Sequence, residues 1–215
     1  MIESIGPSLS DGYTDVPAGR IAAVATTLEM RAPPTARDVP LPGDGFEIRA
    51  VPGPDPDWYR RLFRKIGEPW LWHSRLRLTD AALEAIIGDE NVAVFSLVAL
   101  GADGRLQSEE GLLELDFREA GCCELAFFGV SPGLTGQGLG RLLMAHAVRE
   151  AWSRPISRFW VHTCTLDHPS ALGFYLRSGF VAVKRQIEIA PDPRLDGTLS
   201  PTAAPDVPLL HPTPK

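Results

Sequence analysis

The sequence predicts an α/β (α+β) fold, and two observations carry that prediction. The first is a strand-like run, Cys122 to Val130, that feeds into Ser131-Pro132-Gly133-Leu134-Thr135-Gly136-Gln137-Gly138-Leu139-Gly140-Arg141 and then into an amphipathic helix. The second is the succession of periodic segments from Phe46 onward, which reads β, α, α, β, β, β, α, β, α, β. With 215 residues, 44% of them hydrophobic and 22% charged, the chain can bury the core of one globular domain of ordinary size.

Residues 1–19 are polar, contain Gly and Pro, and read as an N-terminal extension. Ile21 to Met30 is rich in β-formers and reads as an early strand. Ala32 to Gly45, with Pro33-Pro34, Pro40 and Pro42, reads as a turn-rich linker. Phe46 to Val51 alternates and reads as a strand. Pro56 to Ile66 reads as a helix. After Trp70-Leu71-Trp72-His73, Thr79-Asp80 caps a second helix that runs through Ile87 and stops at Gly88. Three strands follow: Val92–Leu100, Gly111–Phe117 and Cys122–Val130. Ala102-Asp103-Gly104 and Glu119-Ala120-Gly121 are the turns between them. Leu139 to Trp152 is a helix, with Leu139, Leu142, Leu143, His146, Ala147 and Glu150 at helical spacing. Ser157–Thr165 is a strand, His168–Ser178 a helix and Phe180–Ile189 the last strand. The domain is expected to occupy residues 20–190. Residues 191–215 carry seven prolines and are expected to be a tail without a core of its own, so that removing 195–215 leaves the fold intact.

Composition excludes several classes of function. The net charge of −6, with no basic block to offset it, argues against a nucleic-acid partner. No apolar run approaches a membrane span, and the N-terminus lacks the basic and apolar regions of a signal peptide. Cys122, Cys123 and Cys164 form neither a disulfide framework nor a metal-ligand pattern with His, so no metal is expected. Reduced, buried thiols suit the cytoplasm. Arg60, Arg61, Arg64, Arg75 and Arg77 read either as a solvated helix face or as contacts to an anionic ligand.

The glycine-rich turn carries the chemistry. Gly136, Gly138 and Gly140 remove side chains where backbone N–H groups can converge on an anion at the positive end of a helix dipole. Arg141, a cation in the first helical turn, opposes that dipole by about 0.3–1 kcal/mol unless an anion sits between them. The turn is neither of the better-known nucleotide motifs. A Rossmann fingerprint read from Gly136 puts Arg141 where the third glycine belongs, and one read from Gly138 puts Leu143 there. A Walker pattern from Gly133 to Gly138 continues with Leu139-Gly140 rather than Lys-Ser/Thr.

Glu124-Leu125-Ala126-Phe127-Phe128-Gly129-Val130-Ser131-Pro132 followed by Thr135-Gly136-Gln137-Gly138-Leu139-Gly140 resembles the acetyl-CoA-binding segment of the GNAT family of N-acetyltransferases. That loop reads Arg/Gln-x-x-Gly-x-Gly/Ala after a Val-x-Pro strand end, and Thr135 stands where Arg or Gln is usual. A second segment, His168 to Phe180, is similar to the family's Asn-x-x-Ala-x-x-x-Tyr-x-x-x-Gly-Phe helix. Ala171, Tyr175 and Gly179 match it, and His168 replaces Asn. Residues 122–180 carry the specific likeness.

The resemblance implies a central mixed, mostly antiparallel sheet of six to seven strands flanked by about four helices. This sheet is splayed between strands 4 and 5, where the strand ending at Val130 leaves its parallel neighbour. It implies acetyl-CoA as co-substrate, held by Thr135, Gly136, Gln137, Gly138, Leu139, Gly140 and Arg141 at the pyrophosphate. Phe128, Gly129 and Val130 would meet the pantetheine along the strand edge, with a backbone N–H near Phe128 facing the thioester oxygen. His168, Ser170, Ala171 and Phe174 would contact it from the second motif. Tyr175 is the expected general acid, since a phenol of pKa about 10 held close can protonate a thiolate of pKa about 8.5. Glu124 is the expected base, at the position of the base in the histone-acetylating members; His73, His162 and Asp116 remain alternatives. The acceptor, a small-molecule or peptide amine, is expected against Trp70, Trp72, His73 and Arg75. A homodimer is allowed. Two other readings stand beside the enzyme. One is a non-catalytic acyl-CoA sensor or partner-binding module that keeps the loop but lacks a working acid and base. The other is a dinucleotide enzyme, which would need an acidic residue ending the next strand, where Thr163-Cys164-Thr165 stands instead.

Overall fold

The computed structural model describes residues 11–34 and 45–212. Residues 1–10 of the expected extension and most of the expected linker (35–44) lie outside the described residues. Seven strands and four helices alternate along the rest: β1 (Arg20–Met30), β2 (Phe46–Ala50), α1 (Pro56–Gly67), α2 (Asp80–Ile87), β3 (Val92–Leu100), β4 (Leu106–Asp116), β5 (Cys122–Val130), α3 (Leu139–Trp152), β6 (Arg158–Cys164), α4 (Ala171–Arg177) and β7 (Val181–Pro191).

Local chemistry sets most of these boundaries. Asp55 caps α1 by accepting from the Trp58 N–H at 2.9 Å, Pro56 occupies the first turn, and Tyr59, Leu62, Phe63 and Ile66 form its buried stripe. Thr79 caps α2 through the Ala82 N–H, and Leu83 and Ile87 are its buried residues. α3 buries Leu139, Leu143, Met144, Ala147 and Ala151. α4 begins at Ala171, three residues later than the sequence predicts, because the chain turns first through a bond from the Ala171 N–H to the His168 carbonyl. β4 begins at Leu106, five residues before the expected Gly111, because the early half pairs with β3 while remaining partly exposed.

The sheet is one layer with the order β2-β3-β4-β5-β6-β1-β7. Pairing is antiparallel except between β5 and β6, which run parallel over only three positions, Cys122↔Arg158 to Glu124↔Trp160. Beyond Glu124 the two strands diverge, and Leu125 to Val130 keep a free edge toward β6. Counted along this chain the opening therefore lies between β5 and β6, while β4 and β5 stay paired from Gly111↔Val130 to Asp116↔Glu124. Ala126 is an extra residue opposite the Glu114–Leu115 step, so the inward face of β5 switches there. β1 lies between β6 and β7 and is antiparallel to both. One core packs α3 and α4 against one face, around Leu113, Leu125, Leu143 and Phe159. A second packs α1 and α2 against the other, around Tyr59, Phe63, Leu83 and Leu112.

The C-terminal segment departs from expectation. Its prolines do not leave it without packing: Leu199, Ala203 and Ala204 are buried with Ile21 and Leu71 in a third cluster. Asp192 and Arg194 are also buried and paired at 2.7 Å, and the same guanidinium donates to the carbonyls of Ala203 and Val207. Hydrophobic content alone does not reveal this, because Leu199 and two alanines suffice where the carbonyls are satisfied by one arginine. Leu71 and Ala204 have left-handed backbones, at φ 56° and 46°. Such a conformation costs an L-residue roughly 1–2 kcal/mol, so the packing around each must hold it.

Candidate active site

The divergence of β5 from β6 opens a cleft of about 870 Å³ that passes from the N-terminus of α3 to the turns between α1 and α2. At one end β5 runs through a short 3-10 turn at Pro132–Leu134 into the glycine-rich loop. Gly136 and Gly138 both have φ 86°, and at Gly136 an added Cβ would meet open space. Gly138 serves as N-cap of α3 without a capping side chain. Among the described residues, the backbone N–H groups of Gly136, Gly138, Leu139 and Gly140 have no protein acceptor. Arg141 reaches back over this cradle: its Nη2 lies 3.4 Å from where a Gly138 Cβ would stand. Unpaired donors, a helix N-terminus and a guanidinium around open space suit a phosphate group.

Thr135, Gly136, Gly138, Gly140 and Arg141 line the cleft, as do Phe128, Gly129 and Val130. Gln137 and Leu139 do not. The Gln137 amide folds back to the Gly133 carbonyl at 3.1 Å, and the Leu139 side chain is buried in the core. Of the two, only Leu139 leaves its backbone N–H without an acceptor; the Gln137 N–H donates to the Leu134 carbonyl at 3.4 Å. From the second motif His168, Ser170, Ala171 and Phe174 all line the cleft. The Phe174 ring stacks on Phe128 at 5.6 Å, and the Ser170 N–H donates to His168 Nδ1 at 3.1 Å.

Tyr175 lines the cleft, 7% exposed, its ring edge-on to Phe128 and its hydroxyl without a protein partner among the described residues. Burial, reinforced by the charge of Asp167, raises its pKa well above the ordinary tyrosine value. Tyr59 is the informative contrast. It too is fully buried and its pKa is raised, by burial and then by Glu114, but its hydroxyl donates to the Glu114 carboxylate. One tyrosine is tied into the core, whereas the other faces a cleft.

At the far end Trp70, Trp72 and His73 line the wall. The Trp72 indole lies over Gly129, where a Cβ would meet Ile66 at 2.5 Å, and its Nε1 donates to Asp167 Oδ1 at 3.3 Å. Trp70 packs edge-on against His168 at 5.1 Å. These contacts join the α1–α2 connection to the β6–α4 loop across the opening. Asp167 also accepts from the Thr163 hydroxyl at 2.7 Å and the Cys164 N–H at 2.9 Å. Cys164 lines the cleft as well, its thiol pushed up to about 11 by burial.

Two expected site residues lie elsewhere. Arg75 does not line the cleft; its guanidinium turns inward, donates to Glu114 Oε1 at 2.5 Å and lies over the Phe127 ring. The buried Glu114 carboxylate claims the charge that the sequence assigns to an acceptor. Arg60, Arg64 and Arg77 likewise serve as ties, to Asp80, to the Thr198 carbonyl and to Asp196. Glu124 lies in a shallow groove with Asp116, Arg118, Glu119 and Trp160, on the sheet beside the cleft rather than in its wall. The residue brought to the wall is His162, whose Nδ1 stands 3.7 Å from Glu124 Oε1. Contact with Glu124 raises the His162 pKa above its ordinary value, with Asp167 and Glu188 adding to it. Asp167, Phe127 and Glu188 were missed as site residues. His162 is one of the alternative bases named from the sequence, and strand geometry explains its place: parallel pairing of Cys123 with Phe159 sets Glu124, Trp160 and His162 on one face. Among the described residues no group of three His, Cys, Asp or Glu gathers as for a metal. No described helix is long and apolar enough to cross a membrane.

An open α/β sheet whose parallel strands β5 and β6 part beside a loop of unpaired backbone N–H groups sets the class of fold to which this protein belongs. Residues 57–180 match the model of the acetyltransferase (GNAT) family, and the chain belongs to that family. It is 30% identical over 146 residues to the streptothricin acetyltransferase of Streptomyces lavendulae, covering 68% of each chain. Among solved structures, a GCN5-related N-acetyltransferase from Sphaerobacter thermophilus superposes with a TM-score of 0.54 at 18% identity, covering 81% of this chain and 52% of that one. A GCN5-related N-acetyltransferase from Kribbella flavida superposes with a TM-score of 0.50 at 18% identity, over 83% and 63%. The chain thus spans between half and two-thirds of these two solved chains. The family generally uses acetyl-CoA.

Proposed function

We propose that the protein transfers an acetyl group from acetyl-CoA to a primary amine of a small molecule or peptide, by direct attack in a ternary complex. The observation that carries this reading is the unpartnered Tyr175 hydroxyl, placed between an anion cradle and an aromatic, acidic wall in one continuous cleft. Acetyl-CoA supplies an activated acyl group. The N–H groups of Gly136, Gly138, Leu139 and Gly140, with Arg141, hold its pyrophosphate, and the free edge of β5 from Leu125 to Val130 pairs with its extended arm. A β5 N–H near Phe128 then faces the charge that develops on the thioester oxygen. Tyr175 delivers the proton to the departing sulfur. The burial that raises the Tyr175 pKa also raises the proton affinity of a thiolate in the same site, so donor and acceptor stay matched.

The base is His162, with Glu124 behind it. His162 is on the cleft wall, and Glu124 touches it from the groove side. Glu124 thereby acts through His162 and is a positioning residue in this reading. The acceptor is a cationic amine. Asp167 and Glu188 line the cleft and Glu124 stands next to it, while Trp70 and Trp72 offer faces to an ammonium group. Streptothricin-like amines are first in line, since the relative from Streptomyces lavendulae carries streptothricin acetyltransferase as its name. We place the catalytic domain at residues 20–190 and the reaction in the cytoplasm, where the three free thiols stay reduced. The test is thiol release from acetyl-CoA with a panel of mono- and polycationic amines. Amine-dependent release supports the reading; binding of acetyl-CoA with no release by any amine makes the protein a sensor.

A further inference from the structure

The two non-glycine residues with left-handed backbones among those described, Leu71 and Ala204, are buried in the same small cluster. One belongs to the turn that carries Trp70, Trp72 and His73; the other belongs to the C-terminal segment. Strain persists only where surrounding structure over-determines it, and an outlier of this kind points to a function for the geometry it holds. We propose that residues 192–207 are a brace that fixes the acceptor wall, so that the C-terminal segment is a positioning element of the active site. The inference rests on the reading of Trp70, Trp72 and His73 as that wall.

The contacts converge on one target. Leu199 is 2% exposed and shares a cluster with Leu71 and Ile21, two residues that line the cleft. The Ser200 N–H donates to Glu68 Oε1 at 3.2 Å, the Thr198 carbonyl accepts from Arg64 at 2.9 Å, and Asp196 pairs with Arg77 at 2.6 Å. The braced stretch, Glu68 to Arg77, is thereby gripped at its start, through Leu71 and at its end. Its own hydrogen bonds are local, closing single turns: Leu71 N–H to Glu68 at 3.2 Å, Trp72 N–H to Gly67 at 3.1 Å, Leu76 N–H to His73 at 3.0 Å, and His73 Nδ1 with the Leu71 carbonyl at 2.9 Å. Two short 3-10 turns cannot by themselves hold two indoles toward a cleft. The brace is stiffened from within by Arg194, 4% exposed, which neutralises Asp192 and donates to the carbonyls of Ala203 and Val207. Among the described residues no hydrogen bond or ion pair links 192–207 to the glycine-rich loop, so the donor end should be indifferent to them.

The test compares Leu199→Ala, Leu199→Met and Asp196→Ala with the parent in the full-length protein. Hydrogen exchange at the Leu71 and Trp72 amides, acetyl-CoA affinity, and the KM and kcat for a working amine are measured together. Leu199→Ala should speed exchange at both amides by about tenfold or more. It should raise the amine KM by about tenfold and leave acetyl-CoA affinity within about twofold. Leu199→Met should restore the parent values, and Asp196→Ala, a surface change that does not endanger folding, should raise KM by about two- to threefold. Unchanged exchange in Leu199→Ala and Asp196→Ala would overturn the brace. Faster exchange with an unchanged amine KM would uphold the brace and remove the acceptor from Trp70, Trp72 and His73.

Discussion

The two ends of the cleft are built in opposite ways. The end proposed for the donor's phosphates comes from one uninterrupted stretch, Phe128 to Arg141, in which a strand, a turn with two left-handed glycines and a helix N-terminus follow in sequence. The end proposed for the acceptor is assembled from pieces far apart in the chain: Ile21 on β1, Trp70 to His73 after α1, His162 on β6, Asp167 beyond it and Glu188 on β7. A phosphate presents the same charge and shape in every acyl-CoA, and backbone N–H groups suffice to hold it. An acceptor is recognised by side chains, and those can be exchanged one by one without disturbing the loop. Chemistry common to a family is thus held locally, while specificity is distributed over the fold.

The largest effect that would break this comparison lies in the loop itself. Gly138→Val puts a β-branched side chain at φ 86°, against Arg141 and into the cradle. Acetyl-CoA should no longer raise the melting temperature, measured by thermal unfolding with and without ligand. A folded Gly138→Val protein that is stabilised as much as the parent would show that the cradle does not hold the donor.

Next in size is the pair of buried tyrosines. Tyr175→Phe should lower kcat by roughly tenfold to a thousandfold, within the range of general acid catalysis, with little change in acetyl-CoA affinity. Tyr59→Phe removes a donor from the buried Glu114 carboxylate and should cost about 1–3 kcal/mol of stability in urea unfolding while kcat holds. Equal kinetic effects in the two variants would erase the distinction between a cleft tyrosine and a core tyrosine.

Smaller effects are expected from the base and the wall. A histidine base works when neutral, so the rate should rise with pH through the His162 pKa, which lies above its ordinary value because of Glu124. Glu124→Gln removes the leading cause, and the rising limb of kcat against pH should move to lower pH. His162→Gln should abolish that limb. Complete loss of activity in Glu124→Gln at every pH would instead make Glu124 the base itself. Smallest of all, Trp70→Ala should raise the amine KM by roughly three- to tenfold, the loss of one aromatic or cation–π contact, without altering acetyl-CoA affinity.

The same contrast governs what could be read from the sequence. β5, α3 and the Thr79 cap of α2 fall where the sequence places them, because strand alternation, helical spacing and capping are local signals. The place of β1 between β6 and β7 left no such trace, since alternation says that a strand exists and not which edge it joins. Arg75 was misplaced because its partner, Glu114, lies 39 residues away, on β4. Glu124 sits behind His162 rather than in the wall because it is the last β5 residue paired with β6, and the strands diverge immediately beyond it. The C-terminal segment looked coreless because proline content hides a single well-placed leucine, Leu199, and one buried arginine, Arg194.

The central claim is that both ends of the cleft serve a single transfer. It is tested most directly by following thiol release from acetyl-CoA and acetylated product together, with cationic amines, in the parent, Gly138→Val and Tyr175→Phe. The parent should release thiol only when an amine is present and should form one acetylated amine per thiol. Gly138→Val should fail at binding, and Tyr175→Phe should bind but turn over slowly. Tight acetyl-CoA binding with no amine-dependent release, or release at the parent rate in Tyr175→Phe, would contradict the account.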